Sequence, residues 1–242
     1  MTRTDETWTL AGYEVPVYAA LPDEARPGPA VIVIHEVWGL DGHIRSVIDR
    51  YAAAGYRAFG PELLVGSGLL EELNEEQRAE YDHPVRRLPH QVELRTFFAP
   101  VFSPAFAERT VAKLRAMIDR VLARPDVTTV SVTGFCYGGS MSWALAAADA
   151  RLAAVMPYYG HNSFSAPELA AIATPILAFY GADDAPLIAQ VPTVHAGLPA
   201  AEIVVYPGAG HAFFNESNDQ SYREDAAHDA WRRTLAFLAA HA

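Results

Sequence analysis

Gly134-Phe135-Cys136-Tyr137-Gly138-Gly139 is the stretch that decides how this chain folds. The β-branched residues 129–133 precede it and the helix-forming residues 140–148 follow it. Strand, sharp turn and helix in that order make a nucleophile elbow, in which the turn residue projects above a sheet. Glycines flank the turn because strand and helix backbones approach there too closely for a Cβ. The turn also sets the Cys136 sulfur at a helix N-terminus, where the dipole and free N–H groups favour thiolate over thiol.

Outward from the elbow, short apolar runs recur at 30–35, 56–60, 127–134, 152–159, 176–181 and 202–206, the lengths and compositions of strands buried on both faces. Helical spacing falls between them. Ile44, Val47, Ile48 and Tyr51 form one stripe, with Asp41 as N-cap and Gly55 just past the end; Val111, Leu114, Ile118, Val121 and Leu122 form another. Residues 221–240 read as a final helix burying Trp231, Leu235 and Leu238. Trp8 and Leu10, then Gly12, then Val15 and Val17 read as an antiparallel ribbon at one edge. The alternation predicts an α/β fold: a mostly parallel twisted sheet with helices on both faces and an antiparallel N-terminal edge. We expect one domain over 1–242. Within it the strand signal lapses at 61–104, a length that suits a cap or lid.

Composition narrows the function. The 242 residues carry 18 Lys+Arg against 29 Asp+Glu, a formal charge of −11, and the only lysine is Lys113, so nucleic acid is not an expected partner. Hydrophobic residues make up 51%, enough for a sizeable core, and no apolar run approaches membrane-spanning length. A single cysteine forms no internal disulfide, and residues 1–9 lack the plan of a signal peptide. A cytoplasmic location is the expectation.

A nucleophile of this kind needs a base, and the base needs an orienting acid. Gly181-Ala182-Asp183-Asp184 follows the run at 176–181, and Pro207-Gly208-Ala209-Gly210-His211 follows the run at 202–206. Both place their polar groups at the carboxyl edge of the sheet, where ligands bind in such folds. Nucleophile, acid, histidine is the chain order of the α/β-hydrolase fold. Gly-x-x-Asp spacing favours Asp184 as the acid, although spacing alone does not exclude Asp183. His43, His228 and His241 lie on predicted helices and are expected in solvent; His161 follows a strand and is expected in a loop. Glu36 ends another strand at the same edge. His35-Glu36 is not half of a zinc motif, because Trp38 and Gly39 stand where a second histidine would be needed, so no metal site is expected.

Taken together, His35-Glu36-Val37-Trp38-Gly39-Leu40, His43-Ile44-Arg45, Gly55-Tyr56, the elbow at 134–139 and Gly-Ala-Gly-His-Ala-Phe at 208–213 resemble the dienelactone hydrolase family, a cysteine-dependent branch of the α/β-hydrolases. The resemblance covers most of the chain and is weakest at 61–106. It implies hydrolysis of a small-molecule lactone or ester through a thioester acyl-enzyme, without a cofactor. Cys136 would be the nucleophile, His211 the base and then acid, Asp184 its orienter, and Glu36 a contact of the resting thiol that helps deprotonate it. The backbone N–H groups of Val37 and Tyr137 would form the oxyanion hole. Trp38, Phe213, Asn215 and Arg78 are the candidate substrate contacts. One departure stands out. Dienelactone-cleaving members have an arginine four residues after the catalytic histidine to bind the substrate carboxylate, and this chain has Asn215. A second arginine is sought among Arg78, Arg86, Arg87 and Arg95. Two other readings are a thiol esterase or thioesterase acting on neutral substrates and a non-catalytic binding or redox-sensing module.

Overall fold

In the computed structural model, residues 1–23, 26–69, 76–77, 80, 86 and 88–242 are described. The sheet has eight strands in the order β1-β2-β4-β3-β5-β6-β7-β8. They are β1 Thr2–Leu10, β2 Tyr13–Leu21, β3 Gly28–Ile34, β4 Arg57–Pro61, β5 Val127–Phe135, β6 Val155–Tyr158, β7 Leu177–Gly181 and β8 Glu202–Tyr206. β1 pairs antiparallel with β2, and β2 with β4, while every later pairing is parallel. The ribbon predicted around Gly12 is this β1–β2 hairpin, turning through the left-handed Ala11 and Gly12 between Leu10 and Tyr13.

Right-handed crossovers place the helices. The chain steps one way from β3 to β4 through α1 (Gly42–Ala53), then back past β3 to β5 through a helix at Pro104–Leu122. These two helices must therefore lie on opposite faces. The helix after the elbow, Tyr137–Ala148, continues in the second direction and packs beside Pro104–Leu122. The C-terminal helix, Glu224–His241, joins α1, with Trp231 against Tyr51 at a centroid separation of 4.7 Å.

Local chemistry sets the boundaries of α1. Asp41 accepts from the Ile44 N–H at 2.9 Å, so the predicted cap forms, and Gly55 follows the end at φ +96°. Ile44, Val47, Ile48 and Tyr51 are all buried. In the last helix Leu238 is buried as expected, with Ala226, Ala230 and Phe237, whereas Trp231 and Leu235 are only partly covered. β8 also departs from the fully buried reading. It is the edge strand, so residues such as Val205 reach solvent. Of residues 61–104, a helix at Gln91–Phe98 is described, with Leu94, Phe98 and Val101 buried and Phe98 edge-on to Trp38 at 5.3 Å. Among the described residues, no helix is long and apolar enough to cross a membrane.

His43 is buried rather than solvated, because the inward face of α1 sets its ring between Phe135 and Phe214. Burial, with Arg50 nearby, pushes its pKa down to about 4. A base that charges more readily when unfolded favours unfolding as pH falls. The stabilisation from a neutral His43 is therefore complete above about pH 6.5 and is lost on the way down to about 4, roughly 3 kcal/mol in all. His43→Leu should remove that part of the pH dependence when denaturant melts at pH 7.5 and 4.5 are compared with wild type. Identical pH dependence in the two chains would contradict it.

Candidate active site

Five neighbouring parallel strands deliver their carboxyl ends to one edge, and each candidate residue follows one of them: Glu36 after β3, Cys136 after β5, Tyr159 after β6, Asp184 after β7 and His211 after β8. The elbow has the tight packing its glycines announced. A Cβ on Gly134 would collide with the Gly138 backbone, and one on Gly138 with the carbonyls of Ile34 and His35. Cys136 itself sits at φ 55° and ψ −111°, which is unfavourable for any residue with a Cβ. Tyr159 (φ 38°) and Ala212 (φ 60°) share the left-handed region, so the strained backbone outside the hairpin turn gathers at this edge.

The acid-histidine pair is formed. Asp184 Oδ2 lies 2.6 Å from His211 Nδ1, with 11% of the aspartate side chain and 45% of the imidazole exposed. Asp183 is exposed and spends its N–H on the Ala209 carbonyl at 2.9 Å, so the geometry pairs Asp184 with the histidine. Burial opposes charge on His211. The Cys136 charge and hydrogen bonds to Asp184 and Cys136 outweigh it and hold the imidazole pKa well above the ordinary histidine value.

Glu36, only 2% exposed, is gripped at both oxygens. The Tyr159 hydroxyl donates to Oε1 at 3.2 Å and Asn215 Nδ2 to Oε2 at 2.7 Å. Burial, then the charges of Glu36 and Cys136, raise the Tyr159 pKa far above the phenol range, so this hydroxyl keeps its proton and remains a donor. The Tyr159 ring also lies 5.2 Å from that of His211. Tyr159 is the residue that sequence reasoning missed. Its signal was its place at the end of a strand run, directly before Gly160, on the same edge as the others.

Two expected substrate contacts are placed elsewhere. Phe213 is fully buried between Tyr159 (5.5 Å) and Tyr206 (5.2 Å), because the turn after His211 directs it into the core. Asn215 is buried as well; its amide N–H serves Glu36, and its oxygen accepts from Ser217 N–H (3.1 Å) and Oγ (2.6 Å). Trp38 is half-buried on the loop after β3. Arg86 is exposed and paired with Glu80 at 3.2 Å. Arg78, Arg87 and the side chain of Arg95 lie outside the described residues. Among the described residues, no hydrogen bond engages the N–H of Val37 or of Tyr137, the two expected oxyanion donors. Beside Ser140, one turn into the elbow helix, a groove of about 810 Å³ opens along the helix pair. Phe102, Met141, Ala144 and Phe164 line it with one acid, Glu108, and its described lining holds no lysine or arginine.

This sheet, with nucleophile, acid and histidine candidates after β5, β7 and β8 in that order, belongs to the class of α/β-hydrolases. The model of the dienelactone hydrolase family matches residues 15–242, and the chain belongs to that family: it is a hydrolase of lactones or carboxylic esters. An Escherichia coli K12 protein named "Putative carboxymethylenebutenolidase" is 33% identical over 247 residues, covering 94% of this chain and 83% of that one. A Saccharolobus solfataricus protein of the same name is 31% identical, with 94% of each chain covered. The crystal structure titled "Putative Dienelactone Hydrolase" from Klebsiella pneumoniae superposes with a TM-score of 0.81 at 31% identity over 98% of both chains.

Proposed function

We propose that the chain cleaves its ester or lactone through a thioester on Cys136. The observation that carries this reading is the Asp184–His211 pair at the same sheet edge as a cysteine on a strained elbow. His211 takes the thiol proton, and Sγ attacks the acyl carbon while the carbonyl π pair moves to oxygen, where the N–H groups of Val37 and Tyr137 stabilise it. Collapse expels the alkoxide, which takes the proton back from His211. In a lactone that alkoxide stays tethered, so ring opening precedes hydrolysis. Water, deprotonated by His211, then attacks the thioester and returns Sγ as the leaving group. Glu36, held by Tyr159 and Asn215 at the same sheet edge, assists deprotonation of the thiol. A sensor thiol needs neither the orienting acid nor this carboxylate. A one-domain enzyme with 61–104 as its lid, in a reducing cytoplasm that keeps Cys136 free, completes the reading. Hydrolysis of 4-nitrophenyl acetate before and after iodoacetamide tests it: alkylation should abolish turnover, and survival of activity would refute the cysteine route.

Neutral substrates with an apolar arm are the second reading, supported by Asn215 turning inward to Glu36 and by the groove with its single acid. A charge-assisted hydrogen bond contributes about 1.5–3 kcal/mol, so without the arginine the family uses, carboxylated substrates should lose about ten- to a hundredfold of their advantage. We expect kcat/KM for the methyl ester of a carboxylated lactone to equal or exceed that for the free acid. Strong preference for the acid would mean that another cation, first to be sought at 61–104, supplies the charge.

A further inference from the structure

His35 lies directly before the candidate Glu36, fully buried, and the relay does not use it. Its ring is engaged on both sides. Nδ1 is 2.5 Å from the carbonyl oxygen of Glu36, and Nε2 accepts the Leu63 N–H at 2.9 Å. Because Nε2 accepts, the proton of the neutral ring resides on Nδ1, which donates to the Glu36 carbonyl. An imidazolium would keep that bond too, with Nε2 turned to Glu62 Oε1 at 3.4 Å. The Gly39 N–H adds a second donor to the same carbonyl at 3.2 Å.

The Glu36 carbonyl and the Val37 N–H belong to one peptide group. None of the described peptide bonds is cis, so these two groups point in opposite directions across a rigid plane. Fixing the carbonyl on the buried side, against His35, fixes the direction of the N–H. We infer that His35 is a positioning residue that aims the Val37 N–H at the developing oxyanion by holding the far side of its peptide. The inference rests on the proposed roles of Cys136 and Val37. The Leu63 bond extends the same ring to the start of the 61–104 segment, and Lys113 Nζ fixes that stretch through the carbonyls of Leu63 (3.3 Å) and Val65 (2.5 Å). The His35 ring also stacks on Tyr137, which carries the second candidate N–H, at 6.1 Å.

Two substitutions separate the functions of the ring. His35→Asn keeps a donor at the place of Nδ1, whereas His35→Gln keeps an acceptor near that of Nε2 and gives up the donor. Three readouts are needed: kcat and KM for 4-nitrophenyl acetate, inhibition by an aryl trifluoromethyl ketone, and the rate of iodoacetamide alkylation. The ketone takes Sγ onto its carbonyl carbon while the π pair moves to oxygen, so it demands the oxyanion donors; alkylation of Sγ displaces iodide and does not. Loss of one such donor costs about 10²–10³ in kcat, so misdirecting one should cost about thirtyfold. His35→Gln should lose about that factor in kcat and in ketone affinity, with KM and alkylation within about twofold, while His35→Asn stays within about threefold of wild type. A fully active Gln variant, equal losses in both variants, alkylation falling in step with kcat, or failure of the Asn variant to fold would overturn the inference. Failure of the underlying reading is distinct, since alkylation of Cys136 would then leave wild-type turnover intact.

Discussion

Cys136→Ala should lower kcat for ester hydrolysis by about 10³–10⁶-fold, the range seen when the nucleophile of a catalytic unit is removed. Ser140 is the nearest serine along the helix, but it donates toward the Cys136 carbonyl at 3.4 Å and accepts from the His161 N–H at 2.9 Å, so it cannot take over. Folding should hardly change, because the side chain is small and only partly buried. Backbone strain makes the stability series informative. At φ 55° and ψ −111° any Cβ is unfavourable, a cost on the order of 1–3 kcal/mol, and alanine retains it whereas glycine does not. Cys136→Gly should therefore melt above Cys136→Ala while both are inactive. Activity in either variant beyond a thousandth of wild type would remove Cys136 from the mechanism; an alanine variant as stable as the glycine variant would remove the strain argument.

His211→Ala should be almost as severe, and the double variant with Cys136→Ala no worse than either alone, since groups acting as one unit are not additive. Alkylation gives a second readout, because iodoacetamide reacts with the deprotonated sulfur and His211 is the proposed base. His211→Ala should slow iodoacetamide alkylation at neutral pH by at least about tenfold, a factor equivalent to 1.4 kcal/mol. Asp184→Asn, which keeps the shape but withdraws the charge at 2.6 Å from Nδ1, should fall between wild type and His211→Ala in kcat. Alkylation rates indistinguishable among all three chains would show that the histidine does not act on the thiol.

Much of this was legible in the sequence because it depends on local patterns. The elbow needs glycines at fixed offsets, α1 needs Asp41 at its cap, and parallel strands need short β-branched runs; each lies where the pattern put it, although the strand expected from 152 begins only at Val155. Which side of an element faces inward was less legible where apolar and polar residues share both faces. Trp231 and Leu235 are therefore only partly covered, while Ala226, Ala230, Phe237 and Leu238 are buried, and His43 was drawn between two phenylalanines. In the site, strand order gave Cys136, His211 and Glu36 their places, but the choice of Asp184 over Asp183 required the turn itself. The grip of Tyr159 and Asn215 on Glu36 spans 123 and 179 residues of chain, and no spacing rule reaches that far. Asn215 illustrates the limit well: its distance from His211 suggested a substrate contact, and its fold position made it a ligand of Glu36.

The most direct measurement of the central claim is rapid-quench mass spectrometry of wild-type protein mixed with 4-nitrophenyl acetate in excess and stopped in acid within the first turnover. A cysteine route predicts one acetyl group per chain, on the peptide containing Cys136, released by hydroxylamine and absent from Cys136→Ala. Full turnover with no acetylated peptide, or an acetyl group on Ser140 or any other residue at burst rate, would contradict it.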